Sequence, residues 1–138
     1  MGDISGRCLC GAVQYTAAGP VLWSGHCHCD SCRRASSAPF TSFFGVERKS
    51  VNWRGEMTGV ETSDGDVNRL RCATCGTLMT IRSPRWPKEC HLFAATLDHP
   101  ETFQPQAHFH FAEKLSWVSI TDDLPKYAAS ADTAEPMP

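Results

Sequence analysis

The chain has 138 residues, of which 41% are hydrophobic and 20% are charged, and its formal net charge is -2 at pH 7. This size and composition are typical of one compact soluble domain, and a pI near 6.3 argues against the strongly basic surface of a nucleic-acid-binding domain. No apolar run is long enough to cross a bilayer. We therefore expect neither a nucleic-acid partner nor a membrane association.

Short runs of β-prone residues recur along the chain, separated by turn-forming residues. The predicted strands are AVQYT (12–16), PFTSFFGV (39–46), SVNWRG (50–55), VNRLRC (67–72), TLMTIRS (77–83), CHLFAATL (90–97), AHFHF (107–111) and LSWVSI (115–120). The predicted turns are RGEMTG, SDGD and SPRWPKE, and one short helical turn is predicted after Cys32 in SCRRASSA. The pattern predicts a mainly-β single domain over residues 1–126, with a flexible tail at 127–138.

The cysteine content bears on the cellular compartment. The first ten residues, MGDISGRCLC, lack the basic start and apolar core of a signal peptide, so we expect a cytoplasmic location. Thiols stay reduced in the cytosol, and eight cysteines there favour metal binding or chemistry over disulfides. Four disulfides would be the alternative in a secreted protein.

Two cysteine pairs share the same turn chemistry. Cys8 and Cys10 form a C-x-C pair, Cys72 and Cys75 form a C-x-x-C pair, and each pair is followed directly by glycine. Structural zinc takes four ligands in a closed tetrahedron, which two chelating pairs from distant segments can supply. We therefore predict one structural zinc site that joins the N-terminal strand to the hairpin at 67–83.

The stretch HCHCDSCRR (26–34) holds the third cluster, formed by Cys27, Cys29 and Cys32. Three protein ligands and an open fourth position are the pattern of a catalytic zinc. The spacing leaves other interpretations open. His26 or His28 would complete a closed structural site, the three thiols would stay reduced without metal, or they would pair with one of the other cysteine pairs.

The remaining candidate residues lie around these clusters. Arg33 and Arg34 follow the third cluster, and arginine forks bind carboxylates well, although a solvated pair opening a helical turn is the alternative. Cys90 lies in an apolar run and is predicted to be a small buried side chain. His108 and His110 would face one side of a strand, where a structural histidine is the commoner outcome.

Four segments together resemble one known family. GRCLCGAVQY, HCHCDSCRRASSAPF, LRCATCGTLM and HFHFAEKLSWVSITDDLPKY are similar to the glutathione-dependent formaldehyde-activating enzymes, a family that also contains centromere protein V. All seven clustered cysteines match in order and spacing, over a resemblance that runs from residue 6 to 127. Arg71 departs from the aromatic residue that is usual before the second pair, and the late D-G-x-P type turn reads DDLP (122–125).

The resemblance implies a mainly-β, tent-like fold of short antiparallel strands, similar to Rab-exchange-factor-like zinc proteins. It implies one structural zinc and one catalytic zinc, held respectively by Cys8, Cys10, Cys72 and Cys75 and by Cys27, Cys29 and Cys32. It also implies a carbon–sulfur lyase activity that condenses glutathione, or a similar thiol, with formaldehyde or another small carbonyl. Arg33 and Arg34 would hold a substrate carboxylate, and His108 would place a hydrogen bond at the substrate.

Three alternatives belong to other functional classes. A non-enzymatic zinc-binding module for a protein or small-molecule partner would hold both metals structurally. A nucleic-acid-binding zinc protein is disfavoured by the acidic charge balance. A redox-sensing or metal-sensing thiol cluster would lose its second metal reversibly on mild oxidation.

Overall fold

The computed structural model describes residues 3–61, 66–130 and 136–137. The chain forms two compact units. The first comprises Met1–Trp23 and Phe44–Phe103, and the second comprises Ser24–Phe43 and Gln104–Pro138. Each unit is therefore assembled from two separate stretches of chain. The sequence predicts one domain over residues 1–126, and the two units divide that range.

Strands dominate the described residues, which confirms the mainly-β prediction. The strands are β1 (Ile4–Arg7), β2 (Gln14–Ala17), β3 (Trp23–Cys27), β4 (Thr41–Glu47), β5 (Val51–Arg54), β6 (Met57–Glu61), β7 (Asn68–Cys72), β8 (Leu78–Arg82), β9 (Glu89–Phe93) and β10 (His108–Phe109). One α-helix, α1, spans Asp30–Ser36. Short 3₁₀ helices lie at Arg48–Ser50, Ala94–Thr96, Pro100–Thr102 and Phe111–Glu113. Within the described ranges, no helix has the length and apolarity needed to cross a membrane.

The first unit contains two layers of strands around one core. One sheet has the order β1-β2-β5, and the strands of the other run β4-β9-β8-β7-β6, with β4 contributing from Phe44 onward. Their inward side chains form a continuous buried cluster that includes Ile4, Val13, Tyr15, Phe44, Val46, Met79, Leu92 and Leu97. Burying an apolar side chain of this size contributes about 1.5–3 kcal/mol. Cys8 and Cys72 belong to the same cluster, so the core holds one cysteine of each pair.

The second unit contains β10, β3 and the first part of β4, in that order, together with α1. β10 pairs with β3 in parallel, placing His108 opposite His26 and Phe109 opposite Cys27. The expectation of antiparallel strands is therefore wrong for this pair. Parallel neighbours need a long connection, which the chain between β3 and β10 supplies. This pairing brings a late histidine to the cysteine-rich segment.

Most predicted strands are present. Seven of the eight overlap an observed strand, and the predicted helical turn corresponds to α1, which starts two residues before Cys32. The eighth, LSWVSI, is wrong: residues 115–120 form no strand, and Val118 N donates to Leu115 O across a turn. Lys114 Nζ donates to the carbonyls of Leu115 and Val118. The predicted SPRWPKE turn is confirmed, since Trp86 N donates to Ser83 O over 3.2 Å. Most of the predicted SDGD turn lies outside the described residues.

Three strands, β1, β3 and β6, are not predicted from the sequence. β6 begins inside the predicted RGEMTG turn, because the reversal is completed at Gly55, whose φ is +96°. Backbone hydrogen bonds continue into the segment predicted as a flexible tail, which starts at residue 127. Tyr127 N donates to His108 O, and His110 N donates to Ala129 O, both over 2.9 Å. Residues 131–135 of the predicted tail lie outside the described chain.

Candidate metal centres and active site

Four cysteines converge in the first unit. The sulfur atoms of Cys8, Cys10, Cys72 and Cys75 all lie within 4.8 Å of one another. The Sγ–Sγ distance is 3.6 Å between Cys8 and Cys10 and 3.8 Å between Cys10 and Cys72. A zinc ion with four Zn–S bonds of ~2.3 Å needs tetrahedral edges of about 3.8 Å. The four thiols are therefore close enough to form a closed zinc site, and two of their Sγ–Sγ distances match the tetrahedral edge.

The two pairs are held by nearly equivalent turns. Cys8 N donates to Val13 O over 3.0 Å, and Cys72 N donates to Thr77 O over 2.9 Å. Each turn closes on a glycine with a left-handed backbone, Gly11 with φ +82° and Gly76 with φ +80°. Residues without a Cβ adopt this conformation at little cost, which explains the shared glycine of the two motifs.

Backbone N–H groups point at the sulfur atoms of these turns. Val13 N donates to Cys8 Sγ over 3.2 Å, and Cys75 N donates to Cys72 Sγ over 3.4 Å. Hydrogen bonding from the Thr77 hydroxyl and backbone lowers the pKa of Cys75 to about 5. Such donors stabilise thiolates, the form in which cysteine binds a metal. The donor set thus matches zinc in chemistry as well as in spacing.

Three cysteines converge in the second unit. The Sγ atoms of Cys27, Cys29 and Cys32 lie within 4.8 Å of one another. Cys27 ends β3, Cys29 caps the N-terminus of α1, and Cys32 lies in the first turn, where its N–H donates to Cys29 Sγ over 3.3 Å. Among the residues that the structure describes, no fourth histidine, cysteine or carboxylate joins this group. The second cluster is a three-thiol site.

Charge is unevenly distributed over the three thiols. Hydrogen bonds from Cys27 and Cys32 lower the pKa of Cys29 to about 2. The pKa of Cys27 is raised by its hydrogen bonds to Cys29 and Cys32 and by burial. The hydrogen bond to Cys27 lowers the pKa of Cys32, but Cys29 and burial outweigh it and raise the value to about 11. Cys29 Sγ also accepts from the Cys32 N–H, which favours its thiolate form, and a bound cation would favour the loss of protons from all three thiols.

The neighbouring histidines face away from this three-thiol group. His26 Nδ1 lies 2.8 Å from Ser42 Oγ, and His28 Nε2 lies 2.9 Å from His108 Nδ1. His26 lies in β3, where neighbouring side chains point to opposite faces, so it faces away from Cys27, and the contact with His108 holds the ring of His28. The structure thus supports neither histidine as the fourth ligand of a closed site.

The two arginines after the cluster have different surroundings. Arg33 is 18% exposed, and its Nε donates to His28 O over 3.1 Å. Arg34 is 79% exposed and pairs with Asp30 over 2.8 Å. Asp30 also lies 3.4 Å from Arg33 Nη2, so it offsets part of the positive charge. The predicted role of both arginines in binding a carboxylate stays a prediction, and Arg34 is the more accessible of the two.

His108 is buried at the centre of a hydrogen-bonded chain. Besides His28, it contacts Asp122, whose Oδ2 lies 2.8 Å from His108 Nε2. Both ring nitrogens therefore have partners, and a direct hydrogen bond to a substrate would replace one of them. The predicted substrate-binding role of His108 stays a prediction. The sequence did not predict the hydrogen bonds of His28 and Asp122 to His108, and it offered His28 only as an alternative metal ligand.

Cys90 lies outside both clusters. It is 1% exposed and belongs to the core of the first unit, with Thr80 Oγ1 3.4 Å from its sulfur. Burial raises the pKa of its thiol. The prediction of a small buried side chain is confirmed.

Comparison with known proteins gives a consistent family. Residues 3–113 match the family described as glutathione-dependent formaldehyde-activating enzyme. A Halomonas elongata protein, provisionally named as such an enzyme, is 28% identical over 130 residues, covering 85% of this chain and 80% of that protein. An uncharacterized lyase of Schizosaccharomyces pombe is 33% identical over 79 residues, covering 57% of each chain. A solved Rhodobacter sphaeroides protein shares the fold, with a TM-score of 0.57, 22% identity, and coverage of 73% of this chain and 91% of that chain.

Proposed function

The chain belongs to the glutathione-dependent formaldehyde-activating enzyme family, and on that basis we propose that it is a zinc-dependent carbon–sulfur lyase-type enzyme. The family match and a relative named as a lyase support this class of chemistry. The proposed substrates are glutathione or a similar thiol, and formaldehyde or another small carbonyl. The sulfur forms a bond to the carbonyl carbon, the C=O π electrons move to oxygen, and the thiol proton ends on that oxygen. The product is an S-hydroxymethyl adduct.

The observation that carries the proposal is the three-thiol cluster of Cys27, Cys29 and Cys32, which has no fourth ligand from the described protein residues. A closed structural site needs four protein ligands, whereas a catalytic site keeps one position open. We therefore assign a catalytic zinc to this cluster and a structural zinc to the four cysteines of the first unit. When bound, the catalytic zinc would offer its fourth position to a thiol and lower the pKa of that thiol.

The charge of the second cluster favours this reaction over hydrolysis. Three thiolates around one divalent cation leave the centre negatively charged, which makes it a weaker Lewis acid than a histidine-rich site. Such a centre suits the binding and exchange of thiols better than the activation of water. The Cys32 N–H, which donates to Cys29 Sγ, holds that sulfur in place at the helix terminus.

Arg34 is the residue that we assign to carboxylate recognition. Its guanidinium is 79% exposed on the helix that carries the cluster, and its Nε pairs with the carboxylate of Asp30. An arginine can bind a second carboxylate through its remaining donors. Arg33, held by the His28 carbonyl, would contribute mainly by shaping the segment that precedes α1. We also propose a cytoplasmic location, since seven of the eight cysteines lie in clusters suited to metal binding, which is typical of the reducing cytosol.

The first test is metal content, compared between the wild type, Cys29→Ser and the control Cys90→Ser. We expect two zinc ions in the wild type, one in Cys29→Ser, and two in Cys90→Ser, because Cys90 lies outside both clusters. Glutathione titrated into the same samples should give a binding signal in the wild type and the control only. A wild type that holds two zinc ions but gives no binding signal with any thiol would overturn the catalytic assignment.

The second test measures the reaction itself. Thiols add to formaldehyde without a catalyst, so the useful quantity is the exchange rate at equilibrium between ¹³C-formaldehyde hydrate and the S-hydroxymethyl adduct, followed by NMR. The zinc-loaded wild type and Cys90→Ser should accelerate this exchange, and Cys29→Ser should not. If Cys29→Ser accelerates exchange as well as the wild type does, the three-thiol cluster is not the catalytic site.

A further inference from the structure

A buried chain of hydrogen bonds joins a surface carboxylate to the residue between two cluster cysteines. Asp122 accepts from His108 Nε2, with its Oδ2 at 2.8 Å and its Oδ1 at 3.1 Å. His108 Nδ1 lies 2.9 Å from His28 Nε2. His28 is 0% exposed and His108 is 1% exposed, whereas Asp122 is 40% exposed. His28 stands between Cys27 and Cys29 in the sequence.

The carboxylate determines the tautomers along this chain. An ionised carboxylate only accepts hydrogen bonds, so Nε2 of His108 carries a proton. A neutral imidazole has one N–H, which leaves Nδ1 of His108 as an acceptor, and the nearby Nε2 of His28 must then be the donor. His28 Nδ1 is therefore unprotonated. Among the described residues, this buried nitrogen has no hydrogen-bond partner.

The ring of His28 is confined by packing as well. Phe40 lies 5.0 Å from it and Phe111 lies 5.2 Å from it, measured between ring centroids. Its backbone is bound on both sides, since His28 N donates to Phe109 O over 3.0 Å and His28 O accepts from Arg33 Nε over 3.1 Å. The side chain, the N–H and the C=O of the residue between Cys27 and Cys29 are thus all fixed. Fixing His28 therefore also restricts the positions of Cys27 Sγ and Cys29 Sγ.

We propose that His108 and Asp122 are positioning residues, which hold His28 in one tautomer and one orientation and thereby keep Cys27 and Cys29 at the spacing that a metal requires. This inference rests on the proposed function of the three-thiol cluster. Partners beyond the direct ligands commonly tune metal sites, and their loss costs about 10–100-fold in metal affinity or activity. Here the partners act through the residue that stands between two ligands, not through a ligand itself.

The variant Asp122→Asn tests the chain of hydrogen bonds, because the other carboxylate oxygen already accepts a backbone hydrogen bond. Leu124 N donates to Asp122 Oδ1 over 3.0 Å. An asparagine that keeps this bond through its oxygen presents its NH₂ group to His108 Nε2, where two donors would meet. Because Oδ2 is the nearer of the two oxygens to His108 Nε2, we expect His108 to move its proton to Nδ1 and His28 to follow. The neighbouring Asp123→Asn removes the same charge from an exposed side chain and is the matched control.

The first readout is the tautomer of each imidazole, measured by long-range ¹H–¹⁵N NMR on the zinc-loaded full chain near pH 7. We expect His28 and His108 to be Nε2–H tautomers in the wild type and in Asp123→Asn. In Asp122→Asn we expect the Nδ1–H form at both residues. Any other tautomer in the wild type, or an unchanged pair in Asp122→Asn, overturns the proposed chain, whatever the catalytic activity is.

The second readout is the rate at which a chelator removes the metal from each cluster. We expect Asp122→Asn to accelerate loss from the three-thiol cluster by about tenfold, by analogy with other partners of metal ligands. Loss from the four-cysteine cluster should stay unchanged, as should both rates in Asp123→Asn. Equal acceleration at both clusters would indicate general destabilisation and would overturn the positioning role. A wild type that binds no metal at the second cluster contradicts the proposed function instead, and the tautomer measurement remains decisive for the chain.

Discussion

Replacing Gly76 by alanine isolates the backbone contribution to the four-cysteine cluster. Gly76 has a φ of +80°, and a Cβ built there meets nothing within 4 Å in the described part of the chain beyond its immediate neighbours. Alanine therefore meets no steric obstacle, and the cost comes from the left-handed conformation alone. That conformation costs an L-residue roughly 1–2 kcal/mol. We expect Gly76→Ala to lower the free energy of unfolding by about this amount.

The same energy should appear in metal binding. The cluster binds metal only when the turn is formed, so a penalty of about 1–2 kcal/mol corresponds to roughly 5- to 30-fold weaker zinc binding. Gly11 provides an internal comparison, because its φ is +82° and its added Cβ would lie 3.6 Å from Arg7 Nη1, an ordinary contact. Gly11→Ala and Gly76→Ala should therefore cost the same, although their motifs differ by one residue.

Urea unfolding of the zinc-loaded protein and competition with a chromophoric chelator would measure the two quantities. Gly76→Asn is the control, since asparagine enters the left-handed region more readily than alanine. It should retain part of the stability and affinity that Gly76→Ala loses. The argument fails if alanine costs nothing at Gly76, or if asparagine costs as much as alanine.

Three further predictions follow from the site and the core. Arg34→Ala should leave the urea midpoint nearly unchanged but raise KM for thiols that carry a carboxylate. Arg33→Ala should lower the midpoint, because the His28 carbonyl loses its donor. If the two variants change KM equally and the midpoint equally, this division is contradicted. Burial lowers the pKa of His91 below its ordinary value near 6.5, so its neutral form stabilises the fold above that pH and this contribution falls as pH drops below it. The urea midpoint of His91→Gln should therefore depend less on pH than that of the wild type between about pH 7 and 5, and parallel profiles would count against the assignment. Cys10→Ser should lower the thermal midpoint in zinc but not after complete chelation, when no metal remains to be lost, and a loss that persists after chelation would exclude metal binding as its cause.

The cysteine clusters could be predicted from the sequence because chelation is encoded locally. Two pairs spaced by one or two residues and followed by glycine specify the same turn wherever they occur, and the structure brings them together. The hydrogen-bonded chain could not be predicted in this way. His28 and His108 are 80 residues apart, and they meet only because β10 pairs with β3 in parallel. No local pattern records that pairing.

The strand predictions show a similar division. The strand around Tyr15 alternates exposed and buried residues, and the strand around Leu92 is buried over four consecutive residues, which the core of the first unit explains. LSWVSI is also rich in β-prone residues, yet Trp117 is exposed, and the carbonyls of Leu115 and Val118 accept from Lys114 Nζ instead of from a neighbouring strand. Composition reports how well a residue fits a strand, whereas the partner of the backbone decides whether a strand forms.

The number of residues between ligands predicts different roles for the two proposed metal sites. Cys10 and Cys72 are 62 residues apart, so a metal that joins them closes a long loop. By the chain-entropy reasoning used for a disulfide, a loop of this length is worth about 4 kcal/mol. The three thiols of the second cluster fall within residues 27–32, and a metal there constrains only one strand end and one helical turn. The first site can therefore contribute much to folding, whereas the second contributes little and is free to exchange a ligand. The helix cap at Cys29 and the hydrogen-bonded chain from His28 to Asp122 supply locally the restraint that loop closure supplies at the first site.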